Sequence, residues 1–142
     1  MPKSTLKLSA ELGDRFHTTI TCGHSFVIDQ PKPMGRNEGP NPLEVFLSSL
    51  AACICAIGRI IAQQEKLPLK SIKVALEGDI DKDFLMGQTT EGRAGFTEVR
   101  TRVEIDGDMS LEEKKAFVQR IEQRCPIADN MVNGTSIQLQ VL

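Results

Sequence analysis

Two of the four cysteines in this chain sit where thiol chemistry is possible, and in unlike settings. Cys53 lies in Pro42-Leu-Glu-Val-Phe-Leu-Ser-Ser-Leu-Ala-Ala-Cys53, a nearly uncharged helical run. Cys125 closes a second, charged amphipathic helix and is followed at once by Pro126. Both fall on apolar helix faces, so two packed helices can bring them together as a redox pair. Free cysteine is more often a small buried hydrophobe, and each thiol alone is a weak signal. Cys125-Pro126 is the less ordinary of the two, because the proline turns the chain and leaves the thiol at a helix end.

Cys55 is two residues beyond Cys53, a helical rotation of roughly 200°, so the two cannot serve one site. Cys55 is expected in the core or at an interface. Cys22 shares a strand face with Phe16 and Ile20 and is also expected in the core. The same rotation argues against metal binding by Cys53-Ile54-Cys55, and His17 and His24 have no ligand spacing to the cysteines. No metal and no cofactor are expected. A reactive thiol needs a positive neighbour to ionise. Arg36, six residues before Pro42, can fold over the start of the first helix, where Glu44 can orient its guanidinium. The plainer reading makes Arg36 a solvated loop charge and Glu44 a partner of the helix dipole.

The elements that must hold these residues follow from periodicity. Leu6, Leu8, Ala10 and Leu12 alternate as one strand, and Phe16, Thr18, Ile20 and Cys22 as the next, with Gly13-Asp14 as the hairpin turn. Residues 24–30 make a third strand. Residues 30–42 hold four prolines and two glycines and must be an irregular loop. Asn41 caps a helix that starts at Pro42 and runs to about Lys66. Apolar and small residues surround it almost completely, so it is expected to be buried all round. Strands follow at 70–80 and 96–105, joined by a polar connection. Ser110 and Glu113 form a capping box for a second helix with the stripe Leu111, Val118, Ile121, Cys125. Residues 126–132 suit one more helical turn, and 135–142 a last strand through Ile137, Leu139 and Val141. The fold class is α+β: an antiparallel-rich sheet of about six strands packed on a long buried helix and a second amphipathic one. Residues 1–142 read as a single domain, and the apolar helix implies a homodimer.

Composition narrows the function. A net charge of −2 and pI near 5.7 give no footprint for nucleic acid or an anionic membrane. Six Phe with no Trp or Tyr argue against base stacking. The N-terminus lacks the apolar core of a secretory signal. The uncharged run 45–58 is 14 residues, short of the ~20 that span a bilayer. The expected compartment is the cytoplasm, where cysteines stay reduced.

The stretch Gly39-Pro40-Asn41-Pro42-Leu43-Glu44 leading to Ala51-Ala52-Cys53 resembles the signature of the OsmC/Ohr family, the osmotically inducible and organic-hydroperoxide-resistance proteins. Cys125-Pro-Ile-Ala-Asp-Asn-Met-Val-Asn-Gly134 is similar to that family's Cys-Pro segment. Pro42, Leu43 and Glu44 resemble the general OsmC-like branch. The resemblance implies an intertwined homodimer and a thiol peroxidase without metal or haem. It implies Cys53 as the peroxidatic thiolate, Cys125 as the resolving thiol, Arg36 as its cationic support and Glu44 as the partner of Arg36. In the hydroperoxide-resistance branch the glutamate directly follows the proline and the arginine comes from an earlier loop. Glu44 is therefore one position late, and Arg15 is a rival to Arg36. The resemblance implies an organic hydroperoxide as substrate and a dithiol reductant of the lipoyl type. Two other functions compete: an OsmC-fold protein that binds an apolar small molecule, and a thiol redox sensor.

Overall fold

The computed structural model describes residues 2–142. The chain forms two compact units, Met1–Phe46 and Leu47–Leu142. In the first, β1 (Ser9–Leu12), β2 (Thr18–Thr21) and β3 (Ser25–Ile28) make an antiparallel meander in that order. The first turn forms at Gly13-Asp14 as expected: Gly13 N–H donates to His17 O at 2.8 Å and His17 N–H to Asp14 O at 3.0 Å. The strands are shorter than the alternation predicts. Leu6 and Leu8 precede β1 and are exposed, and Phe16 lies in the turn. Ile20 is buried here, while Cys22, expected in the core, is exposed. It falls just past β2, in a turn where its N–H donates to His24 O at 2.9 Å, so no sheet face carries it inward.

The long helix α1 (Pro42–Glu65) begins where Asn41-Pro42 predicts. Asn41 Oδ1 accepts the Glu44 N–H at 2.8 Å, and proline at the first helical position loses no hydrogen bond. Lys66, at φ +56°, closes the other end, with Leu67 N–H donating to Ala62 O at 2.9 Å. By length and composition α1 could also cross a bilayer. Its buried residues Leu50, Ile54, Ile61 and Ala62 pack instead with Ile105, Phe117, Ile121 and Cys125 in the core of the second unit.

That unit continues with β4 (Leu69–Asp79), α2 (Lys82–Leu85), β5 (Glu98–Gly107), α3 (Leu111–Arg124) and α4 (Pro126–Val132). Strands β4 and β5 pair antiparallel, with Ile72 opposite Ile105 and Leu76 opposite Thr101. Ile72, Val74 and Leu76 face the core with Val99, Val103 and Ile105, while Lys73, Glu77, Arg100, Arg102 and Glu104 are exposed. This is the period-two pattern of a sheet covered on one face. The polar connection contains α2, capped by Asp81. The expected capping box of α3 forms: Ser110 N–H donates to Glu113 Oε2 at 2.9 Å and Glu113 N–H to Ser110 Oγ at 3.2 Å. Gly58 lets α1 approach closely, because a Cβ there would stand 2.3 Å from Ile72 Cδ1 and 3.1 Å from Ile121 Cδ1.

Three expectations need correction. The stripe of α3 differs at its start: Leu111 is exposed and Phe117 is buried, while Val118, Ile121 and Cys125 join the apolar cluster as expected. Helix α1 is not buried all round in this chain. Ser48, Ala52 and Ala56 are exposed on its small-residue side, with Phe46 and Ile60 at 45% and 41%. The sheet is smaller than six strands. The described residues hold five, in one sheet of three and one of two. Residues 135–142 form no strand, and Ile137, Leu139 and Val141 are fully in solvent. Alternation supplies the side-chain pattern of a strand, but a strand exists only when a neighbour takes its backbone hydrogen bonds.

Candidate active site

Helix α1 carries Cys53 on its core side, and the junction of α3 and α4 carries Cys125. Cys125 ends one helix and starts the next. Its extended backbone (φ −80°, ψ 110°) lets its N–H donate to Glu122 O, while Sγ accepts the Ala128 N–H at 3.4 Å. Pro126 then opens α4. The two helices bring the thiols together: Cys125 Sγ–H donates to Cys53 Sγ at 2.8 Å. Both are free thiols. A disulfide measures about 2.05 Å, so bond formation needs an approach of less than about 1 Å.

The pair is asymmetric. Cys125 is 2% exposed and Cys53 is half-buried. Burial pushes the Cys53 thiol above its ordinary pKa. The neighbouring Cys125 pushes the same way, and a hydrogen bond from the Ile127 N–H opposes both without prevailing. Nothing positively charged within Leu47–Leu142 pulls it back down. Cys55 is half-buried and turned to β4, its Sγ 3.9 Å from Ile72 O.

The candidate arginines lie in the first unit, in two segments tied to each other. Arg36, in the loop 29–40, pairs with the Asp14 carboxylate and stands 4.0 Å from Glu38. Arg15, in the turn after β1, donates to Pro33 O at 2.5 Å and Met34 O at 2.6 Å. Arg15 takes φ +54°, a left-handed conformation uncommon for a long side chain. Glu44 is exposed on the first turn of α1, and the ion-pair partners of Arg36 among the described residues are Asp14 and Glu38. His17 is also engaged in this unit, its Nδ1 2.9 Å from Glu38 Oε2.

The family model for OsmC-like proteins matches residues 35–140. The chain belongs to the OsmC-like family. It is 30% identical over 129 residues to the hydroperoxide reductase of Mycoplasma genitalium, covering 91% of this chain and 87% of that one. The hydroperoxide reductase of Mycoplasma pneumoniae is 29% identical over 128 residues, covering 90% and 85%. Among solved structures, an OsmC-like protein from Mycoplasma pneumoniae superposes with a TM-score of 0.81 at 23% identity, covering 94% and 91%. That likeness is one of fold.

In this OsmC-like chain one residue escaped the sequence reading. Asp29 is buried at 2% exposure and holds the loop that carries Arg36. Its signal was present: an aspartate at the mouth of a Pro/Gly-rich loop is a ready acceptor for that loop's own N–H groups.

Proposed function

We propose that this chain is a cysteine-based thiol peroxidase that reduces organic hydroperoxides in peroxide defence, acting as one domain over residues 1–142. The observation that carries it is the 2.8 Å approach of two free thiols of unequal exposure. The more accessible one, Cys53, attacks. Its thiolate takes the distal oxygen of ROOH, the O–O bond breaks, and the leaving alkoxide is protonated to ROH; Cys53 becomes a sulfenic acid. The buried thiol, Cys125, then attacks that sulfur. A disulfide forms and water leaves. A dithiol reductant, of the lipoyl type that the family resemblance suggests, donates two electrons and two protons and restores both thiols. The names of the two Mycoplasma relatives support the substrate class. Leu50, Ile57 and Val118 share the apolar cluster with the thiol pair, which suits an organic peroxide. A reducing compartment such as the cytoplasm suits the reductive half of the cycle.

Burial raises the pKa of Cys53, so the thiolate needs a cation. We assign that role to the pair of segments holding Arg36 and Arg15. Charge balance favours Arg15: the Pro33 and Met34 carbonyl oxygens accept from its guanidinium, and among the described residues it has no carboxylate at ion-pair distance, as Arg36 has. The carboxylates of Asp14 and Glu38 neutralise Arg36. Glu44, exposed on the first turn of α1, is proposed as the carboxylate partner of Arg36 that the family resemblance implies. We also propose a homodimer, because the small-residue side of α1 and the apolar residues of 135–142 are exposed in the single chain.

The test is hydroperoxide consumption with a dithiol reductant. Cys53→Ser should abolish it. Cys125→Ser should allow one turnover per subunit and leave Cys53 as a sulfenic acid open to overoxidation. Turnover by Cys53→Ser at the wild-type rate would end this mechanism.

A further inference from the structure

The loop that holds Arg36 is built around one buried carboxylate. Asp29 Oδ1 accepts the Gln30 N–H at 2.7 Å, and Oδ2 accepts the N–H groups of Glu38 at 3.1 Å and Arg36 at 3.3 Å. Backbone bonds close the loop around it: Asp29 N–H to Pro40 O, Asn37 N–H to Gln30 O and Gly35 N–H to Pro31 O, each 3.0 Å. The packing leaves no slack. A Cβ on Gly35 would lie 2.6 Å from Asp29 Oδ1 and 2.3 Å from Gln30 O, and one on Gly39 would lie 2.1 Å from Val27 O.

The outer rim of the same loop grips the turn between β1 and β2 through three contacts. Pro33 O and Met34 O hold Arg15, Arg36 holds Asp14, and Glu38 holds His17. All three depend on residues 33–38, the backbone that the Asp29 carboxylate anchors at Arg36 and Glu38. Burial alone would raise the pKa of Asp29, but the amides of Gln30, Glu38 and Arg36, with the charge of His17, outweigh it and leave it below the ordinary carboxylate value. The group is therefore an anion at neutral pH.

We propose that Asp29 is a positioning residue for the arginine that supports the Cys53 thiolate: its carboxylate fixes the loop whose carbonyls hold Arg15 and whose Arg36 holds Asp14. This rests on the function proposed above. Asparagine is the informative substitution, because it keeps the size but replaces one acceptor oxygen with an NH₂ group facing N–H donors. The loop then loses its register, and the arginines with it.

The experiment uses the full chain, reduced. Alkylation of Cys53 by iodoacetamide is followed by mass spectrometry as a function of pH, beside consumption of cumene hydroperoxide with dithiothreitol. Asp29→Asn should move the Cys53 alkylation midpoint up by about one pH unit and lower kcat/KM about tenfold. In an Arg15→Ala, Arg36→Ala background the same substitution should change neither, since its route to Cys53 is gone. A merely structural role would add the same loss in both backgrounds and overturn the proposal. So would a folded Asp29→Asn variant with a wild-type profile. If the double arginine variant itself leaves the Cys53 profile unchanged, the arginine-supported thiolate falls, and this proposal with it. If Asp29→Asn alone is silent, only this proposal falls. Should Asp29→Asn not fold, amide exchange of the wild type decides. The Arg36 and Glu38 N–H groups should be protected at neutral pH, and free exchange there would overturn the cage.

Discussion

The two units of this chain are held together by different physics. Leu47–Leu142 is organised by an apolar cluster to which α1, β5 and α3 all contribute, with Phe117 and Ile121 fully buried at its centre. Met1–Phe46 buries one apolar side chain, Ile20, and one charge, Asp29, among the described residues. Apolar packing is non-directional and shared among many neighbours. A polar cage depends on a few directional bonds, each costly to leave unmade. The thiol pair sits in the first kind of environment and the candidate arginines in the second, so the two halves of the proposed chemistry should fail differently.

The largest expected effect tests the apolar side. Phe117→Ala removes a ring with no exposure and should cost about 3–5 kcal/mol in urea unfolding. It should leave amide protection at Arg36 and Glu38 unchanged while the native state persists. A cost below about 1 kcal/mol would mean that the cluster is not what holds the second unit. Gly39→Ala tests the polar side. The new methyl meets backbone, Val27 O, at 2.1 Å, and neither partner is a flexible side chain. A loss of about 1–3 kcal/mol is expected, with exchange rising first in β3 and the loop. A neutral result would show that the loop tolerates movement and is no cage.

Smaller effects sharpen the contrast. Ser110→Ala removes the cap of α3, with its 3.2 Å bond to the Glu113 N–H, and should cost about 1 kcal/mol. That loss belongs to the second unit and should not alter the first. Acid acts the other way round. The pKa of Asp29 is depressed in the folded chain, so its contribution is present above the ordinary carboxylate value. It is lost as pH falls through the depressed one. Below about pH 4 the Arg36 and Glu38 amides should begin to exchange faster, while α1 and α3 amides in the apolar core stay protected. Simultaneous loss in both units would erase the distinction.

Much of the local structure was legible in the residues. Asn41-Pro42, Lys66-Leu67-Pro68 and the Ser110/Glu113 box mark helix ends by hydrogen bonds made within a few residues. Alternation in 70–80 and 96–105 marked β4 and β5, whose core faces match it. The α3 stripe was read correctly at Val118, Ile121 and Cys125 and misread at Leu111, because Phe117 and Leu111 are both apolar in sequence and only packing in the core selects Phe117. The pattern of 135–142 gave no warning that these residues lack a ladder, since pairing depends on a free edge elsewhere.

The cysteines divide along the same line. Sequence by itself determined that Cys53 lies within a long apolar helix, that Cys125 ends a helix before a proline, and that Cys53 and Cys55 face apart. These are consequences of helical period and proline geometry. Tertiary structure alone decided that two sulfurs 72 residues apart stand 2.8 Å from each other, and that Cys125 is the buried member. It also decided that Asp29 is the centre of a loop rather than a surface charge. Each of these depends on where separate segments meet, and that is set by core packing and by the need to satisfy buried polar groups.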